Sequence, residues 1–181
     1  MHGDTLRIGA HDWTCHAGYG HAPEHIALHC PSLGLLVSGD MVLPRISTNV
    51  SVIDIEPEAN PLPLYLASIE RMRALPADTL VLPSHGKPFR GLHTRIGQLA
   101  AHHDERFAEV RAACAREPQT AAGLLPVLFK RSLDENQLSL ALGECIAHLN
   151  YLHQRGQLDR ETRTVTVVDE TSGDTVAATA A

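Results

Sequence analysis

The sequence predicts an α+β fold on three observations. Short strand-like runs crowd the first forty residues, a helical stripe and then a wholly apolar tetrapeptide follow between residues 64 and 82, and helical patterns take over from about Gly91. With 181 residues, 44% of them hydrophobic, the chain can bury a core. Its formal net charge of −6 sets up no basic field toward a phosphate backbone or an anionic membrane, so charge does not support nucleic acid as a partner. No apolar run approaches the roughly 20 residues that cross a bilayer. The opening Met1-His2-Gly3-Asp4 lacks the basic and then apolar layout of a secretory leader, and a cytoplasmic location is expected.

Thr5 to Ile8 and the run around Trp13 to Cys15 read as two short strands between Gly and His residues. Ile26 to Leu28 and Leu35 to Val37 continue the pattern, with Pro31-Ser32-Leu33-Gly34 as the turn between them. From Asp40 to Asn60 the Pro-, Ser-, Thr- and Asn-bearing stretch is too irregular for a helix and too long for a tight turn, so it is expected to be a surface or site loop. Leu66, Ile69, Met72 and Leu75 then recur on one helical face, entered at Pro61 and Pro63 and left at Pro76. Thr79-Leu80-Val81-Leu82 is a buried strand running into Pro83-Ser84-His85-Gly86.

Beyond Gly91, three helices are expected: His93 to Glu117, a short one capped by Thr120, and one along the stripe Leu138, Leu142, Cys145, Leu149 and Leu152, stopped by Gly156. Val165 to Val168 and Thr175-Val176 can pair as a hairpin. Three helices and a hairpin are the layout of a winged-helix-like module. The chain therefore divides into residues 1–90, a helical module at 91–170, and a flexible tail of small residues at 171–181.

The four cysteines, Cys15, Cys30, Cys114 and Cys145, form no Cys-x-x-Cys pair and read as buried thiols. Histidine is the unusual residue: there are 12, and six of them fall within the first thirty positions. Three strings carry candidate chemistry: Gly20-His21-Ala22-Pro23-Glu24-His25, Ser38-Gly39-Asp40 and Pro83-Ser84-His85-Gly86. Each sets a His or Asp beside a glycine at the end of a predicted strand, and two imidazoles with a carboxylate suit zinc. Taken singly, each is an ordinary turn residue. His25 is expected to pack or hydrogen-bond beneath the site rather than to ligate, and Pro23 argues against a His-Glu-x-x-His helix joining it to His21. His102-His103, His148 and His153 fall on predicted helices, where solvent exposure is the expectation. If a substrate with an anionic end binds, Arg45 and Lys87 are the donors placed to meet it; plain surface charge is the other use expected of them.

In their order, intervals and strand-end contexts, the three strings resemble the second half of the metallo-β-lactamase-fold hydrolases, the superfamily of glyoxalase II, lactonases, class B β-lactamases and several nucleases. The resemblance implies the carboxy-terminal half of an αβ/βα sandwich followed by a winged-helix-like module. It implies His21, Asp40 and His85 as metal ligands, with Asp40 bridging two zinc ions and central to catalysis. The implied activity is hydrolysis of an ester, thioester or phosphodiester, with a metal-bound hydroxide as nucleophile. The His-x-His-x-Asp-His run that supplies the other ligands in that superfamily occurs nowhere in this sequence. The expectation is thus a fragment or shortened form holding one zinc ion or fewer, inactive alone, and completed by an amino-terminal half or by a homo-oligomer. The rival expectation is a non-catalytic binding module whose helical part meets protein or nucleic acid.

Overall fold

The computed structural model describes residues 2–168 and 175–180, with side chains described for residues 2–162. Five strands, β1 (Thr5–Ile8), β2 (His11–Gly18), β3 (His25–Cys30), β4 (Leu35–Gly39) and β5 (Leu80–Pro83), form one sheet in that spatial order. The first four make an antiparallel meander, as short turns allow. Strands β4 and β5 are parallel, because the chain between them runs through helix α1 (Pro61–Arg71) and a 3-10 turn at Met72–Ala74 before it returns. As expected, residues 41 to 60 contain no strand or helix.

The two sheet faces differ in what covers them. Cross-strand register places Leu36 beside Val81, with Ala27 on the same face, and all three are fully buried. They share one hydrophobic core with Leu62, Tyr65 and Ile69 of α1. The opposite face aligns Leu6 with Trp13, Ala17 with Ile26, and Leu28 with Val37 and Leu82. Here Leu6 is 46%, Ile8 49%, Ile26 39% and Val37 36% exposed. An apolar sheet face of this extent stands in contact with solvent.

Helices α2 (Leu92–Arg116), α3 (Ala121–Leu128) and α4 (Glu135–Gln154) follow, and then strands β6 (Arg163–Val168) and β7 (Thr175–Ala180) pair antiparallel. Strand β7 runs further than the expected Thr175-Val176, through Ala180; residues 169–174 and Ala181, the rest of the expected hairpin turn and tail, lie outside the described residues. Thr120 Oγ1 accepts from the Gly123 amide at 3.1 Å and Asp134 Oδ1 from the Gln137 amide at 2.9 Å, so both shorter helices begin at side-chain caps. Leu92, Ile96 and Leu99 of α2 and Cys145 and Leu152 of α4 belong to the same core as the sheet.

Two expectations about histidine are corrected here. His103 and His148 are fully buried rather than solvent-exposed. His103 continues the α2 stripe of Leu99, Phe107 and Val110, and His148 the α4 stripe of Ala141, Cys145 and Leu152, so helical period overrides their polarity.

Helix α4 docks on the irregular segment before α1. The Val52 amide donates to the Gly143 carbonyl at 3.0 Å, and Ser51 Oγ to the Leu140 carbonyl at 3.0 Å. A Cβ at Gly143 would lie 2.6 Å from the Val52 carbonyl oxygen and 2.8 Å from Ser51 Cβ. Gly143→Val is therefore expected to cost about 1–3 kcal/mol, because backbone rather than a side-chain tip must move. A urea midpoint equal to that of the unsubstituted chain would show that the two segments are not docked.

Candidate active site

Strand direction brings the candidate residues together. Strands β2 and β4 both run antiparallel to β3, and β5 runs parallel to β4, so the carboxy-terminal ends of β2, β4 and β5 share one sheet edge. His21 follows β2, Asp40 follows β4, His85 follows β5, and His25 opens β3 at the same edge.

The Asp40 carboxylate sits between two imidazoles. His21 Nε2 lies 3.5 Å from Asp40 Oδ2, and His85 Nε2 lies 3.5 Å from Asp40 Oδ1. The Ser84 hydroxyl donates to Oδ1, and the Thr48 hydroxyl donates to the Asp40 carbonyl. His21 Nδ1 is 2.8 Å from the Asn49 carbonyl oxygen. A carbonyl only accepts, so Nδ1 carries the hydrogen, and Nε2, facing Asp40, keeps its lone pair in the neutral ring. Asn49 is itself held from α4: its amide donates to Glu144 Oε2 at 3.3 Å and to the Leu140 carbonyl at 3.4 Å. Burial pushes the Glu144 carboxyl up to about 7, opposed by the Asn49 amide.

His25 lies beneath the turn that carries Asp40. The Asp40 amide donates to His25 Nε2 at 3.4 Å, and a Cβ at Gly39 would lie 2.2 Å from that nitrogen. With φ at +54°, Gly39 answers both the turn and the close approach. Burial first, and the neighbouring His21 second, lower the His25 pKa; Asp40 opposes them. In this arrangement His25 Nε2 is the acceptor.

Beside His85 a cavity of about 610 Å³ opens, lined by Arg45 and Lys87 together with Pro44, Ile46, Pro88 and Phe89. Gly86, at φ +89°, lets the 84–88 turn pass over Pro44, since a Cβ there would lie 2.7 Å from Pro44 Cγ.

All three residues singled out from the sequence thus meet, with His25 below them. Among the described residues, no three His, Cys, Asp or Glu side chains converge to hold a single ion. Each Asp40 oxygen instead pairs with one imidazole. The sequence does not disclose the parts played by Ser84, the Asn49 carbonyl or Glu144. Ser84 lay inside a quoted string; the link from Asn49 to Glu144 spans 95 positions and leaves no local pattern.

Residues 2–85 match the family model of the metallo-beta-lactamase superfamily, and residues 107–168 match that of the metallo-beta-lactamase-like C-terminal domain. The chain is 28% identical over 148 residues to the probable metallo-hydrolase YqjP of Bacillus subtilis, covering 80% of this chain and 46% of that protein. It is 30% identical over 129 residues to a hydroxyacylglutathione hydrolase of Cereibacter sphaeroides, covering 71% of this chain and 39% of that one. Among solved structures, a beta-lactamase domain protein from Burkholderia ambifaria superposes with a TM-score of 0.84 at 55% identity, over 99% of this chain and 51% of that chain. A metallo-beta-lactamase family protein from Thermus thermophilus superposes with a TM-score of 0.75 at 29% identity, over 92% of this chain and 50% of that chain. The chain spans about half the length of these relatives or less.

Proposed function

Because the chain belongs to the metallo-β-lactamase superfamily, we propose that it is the carboxy-terminal, metal-holding half of a zinc-dependent hydrolase of esters, thioesters or phosphodiesters. The observation that carries this reading is the separation of 3.5 Å on both sides of Asp40. Zinc bonds of about 2.0–2.2 Å to nitrogen and oxygen, set at a tetrahedral angle, put two donors about 3.4 Å apart. A hydrogen-bonded pair would be closer. The donor set therefore fits zinc, which His21, Asp40 and His85 would hold, with Asp40 shared between the two imidazoles. Bound zinc supplies Lewis acidity and lowers the pKa of water toward neutrality. The chain's own groups do the placing: the Asn49 carbonyl fixes the His21 tautomer, Ser84 orients the carboxylate, and His25 supports the turn.

One imidazole paired with a shared carboxylate does not fix an ion, and no His-x-His-x-Asp-His run is present to add more donors. On this reading the remaining donors come from another polypeptide segment, either an amino-terminal half or a second copy. The exposed apolar sheet face of Leu6, Ile26 and Val37 offers it a seat. In the same proposal residues 1–90 are the partial hydrolase domain and residues 91–170 the winged-helix-like module, with α2 starting at Leu92. No helix among the described residues is long and apolar enough to cross a membrane, and the site is proposed to work in the cytoplasm.

Elemental analysis after dialysis should find one zinc ion or fewer per chain, and a panel of chromogenic esters and phosphodiesters should show no turnover by the chain alone. Co-expression with an amino-terminal half bearing His-x-His-x-Asp-His should restore turnover. Two tightly held ions in a monomer, or brisk turnover by the isolated chain that disappears in Asp40→Ala, would refute the half-site.

A further inference from the structure

We propose that Arg45 and Lys87 form an anion-binding subsite, so that the substrate of this centre carries a carboxylate or phosphate at the end remote from the bond that is cleaved. The inference rests on the functional reading above for the word substrate, and on the cavity beside His85 for the site itself. That cavity is lined by the site residue His85 and by both cations. Its lining contains no carboxylate, while Pro44, Ile46, Pro88 and Phe89 give it apolar walls. The nearby acid, Asp40, is already engaged by Ser84, His21 and His85.

These two cations are uncommitted, as Arg116 and Lys130 also are, and unlike that pair they line the cavity beside His85. Arg71 donates to the Ala17 carbonyl, Arg73 to Glu70 and the His93 carbonyl, Arg95 to the Leu43 and Ile46 carbonyls, and Arg160 to Glu58. Among the described residues, Arg45 and Lys87 make no hydrogen bond or ion pair, and both are exposed. In a chain whose net charge is −6, two unpaired cations converging on one cavity are a local reversal of sign. The planar guanidinium can grip a carboxylate or phosphate with two parallel hydrogen bonds, and the ammonium adds a point charge. The cavity is shaped as well as charged: the Gly86 turn that walls it closes over Pro44 at a distance no other residue tolerates. A ligand with an anionic end and a short apolar stretch would fill it and leave its far end at His85 and Asp40.

The test uses the full chain after chelator treatment and dialysis, so that zinc binding plays no part in it. Inorganic phosphate and succinate are titrated separately at constant ionic strength while backbone amide shifts are followed. At least one probe should move the amides of residues 45–46 and 85–87 in a saturable way. The double variant Arg45→Gln/Lys87→Gln should weaken that binding at least about tenfold, as expected when charge-assisted hydrogen bonds are removed. Arg116→Gln removes another cation at the far end of α2, a helix of 25 residues that is about 37 Å long, and should change nothing. Saturation by phosphate alone assigns a phosphate end, and by succinate alone a carboxylate end. The proposal is overturned if neither probe saturates, or if saturation persists unchanged in the double variant. A chain that binds the anion yet shows no turnover when completed by an amino-terminal half bearing His-x-His-x-Asp-His would sink the hydrolase reading and leave the subsite standing.

Discussion

Asp40→Ala is expected to cost more zinc affinity than any other single substitution at the site, at least about 100-fold, because both imidazoles lose the shared carboxylate at once. Each oxygen of this carboxylate faces a different imidazole. His21→Ala or His85→Ala would remove one partner and leave the other pair standing, so each should cost less. Asn49→Ala belongs to a different tier. It deletes the amide that ties the segment to Glu144 and Leu140, but the Asn49 carbonyl that holds His21 Nδ1 is backbone and survives. A loss of about tenfold is expected, the size seen when a residue orienting a ligand is removed. Zinc titration against a chromophoric competitor reads all four variants, with circular dichroism to confirm folding. If Asp40→Ala kept affinity within about threefold of the parent while remaining folded, the bridging role would be wrong.

The candidate site was legible in the sequence because the residues proposed as ligands sit at strand ends next to glycines, where the local pattern and the chemistry coincide. His21, Asp40 and His85 could each be placed on an element before any packing was known, and the parallel return of β5 beside β4 brings two of them to one edge. What could not be read is what crosses the chain. The Asn49 to Glu144 contact joins a loop without periodicity to the middle of a helix, and its partners lie 95 positions apart. The buried histidines were misplaced for the opposite reason. Their residue type spoke louder than their phase, although His103 stands four residues from both Leu99 and Phe107 on the buried stripe of α2. The exposed sheet face follows from alternation already visible in β1 to β4, yet only the register shows that Leu6, Ile26 and Val37 look out on the same side.

The same buried histidines predict how the protein responds to acid. Neither ring nitrogen of His103 has a protein hydrogen-bond partner, and His148 is bonded through Nδ1 alone, to the Glu144 carbonyl at 2.8 Å. Burial first, and neighbouring charged groups after it, push His103 down to about 3 and His148 to about 4, against 6.5 for the ordinary imidazole. A lowered imidazole pKa means that the unfolded chain takes up the proton first, so this contribution to stability is whole above pH 6.5 and is lost as pH falls toward 3 to 4. Glu144 works in the other direction. Its pKa is raised to about 7 from an ordinary 4.5, so its contribution is whole below pH 4.5 and is lost as pH rises through 7. Between pH 6.5 and 4.5, two histidines therefore oppose one carboxyl. The net is one proton, about 1.4 kcal/mol per pH unit, or on the order of 3 kcal/mol across the interval. Below pH 4.5 the carboxyl no longer offsets the histidines and the fall steepens. His16, His25, His29 and His102, also lowered by burial, add to the loss. Urea midpoints measured from pH 8 to pH 4 should trace this curve. In His103→Leu the fall between pH 6.5 and 4.5 should shrink markedly, because one of the two opposing protons is gone. Glu144→Gln, which resembles the protonated acid, should match the parent near pH 4.5 and exceed it at pH 8 by on the order of 3 kcal/mol. An acid limb of unchanged slope in His103→Leu, or a Glu144→Gln variant no more stable than the parent at pH 8, would mean that these groups do not titrate across folding as their burial requires.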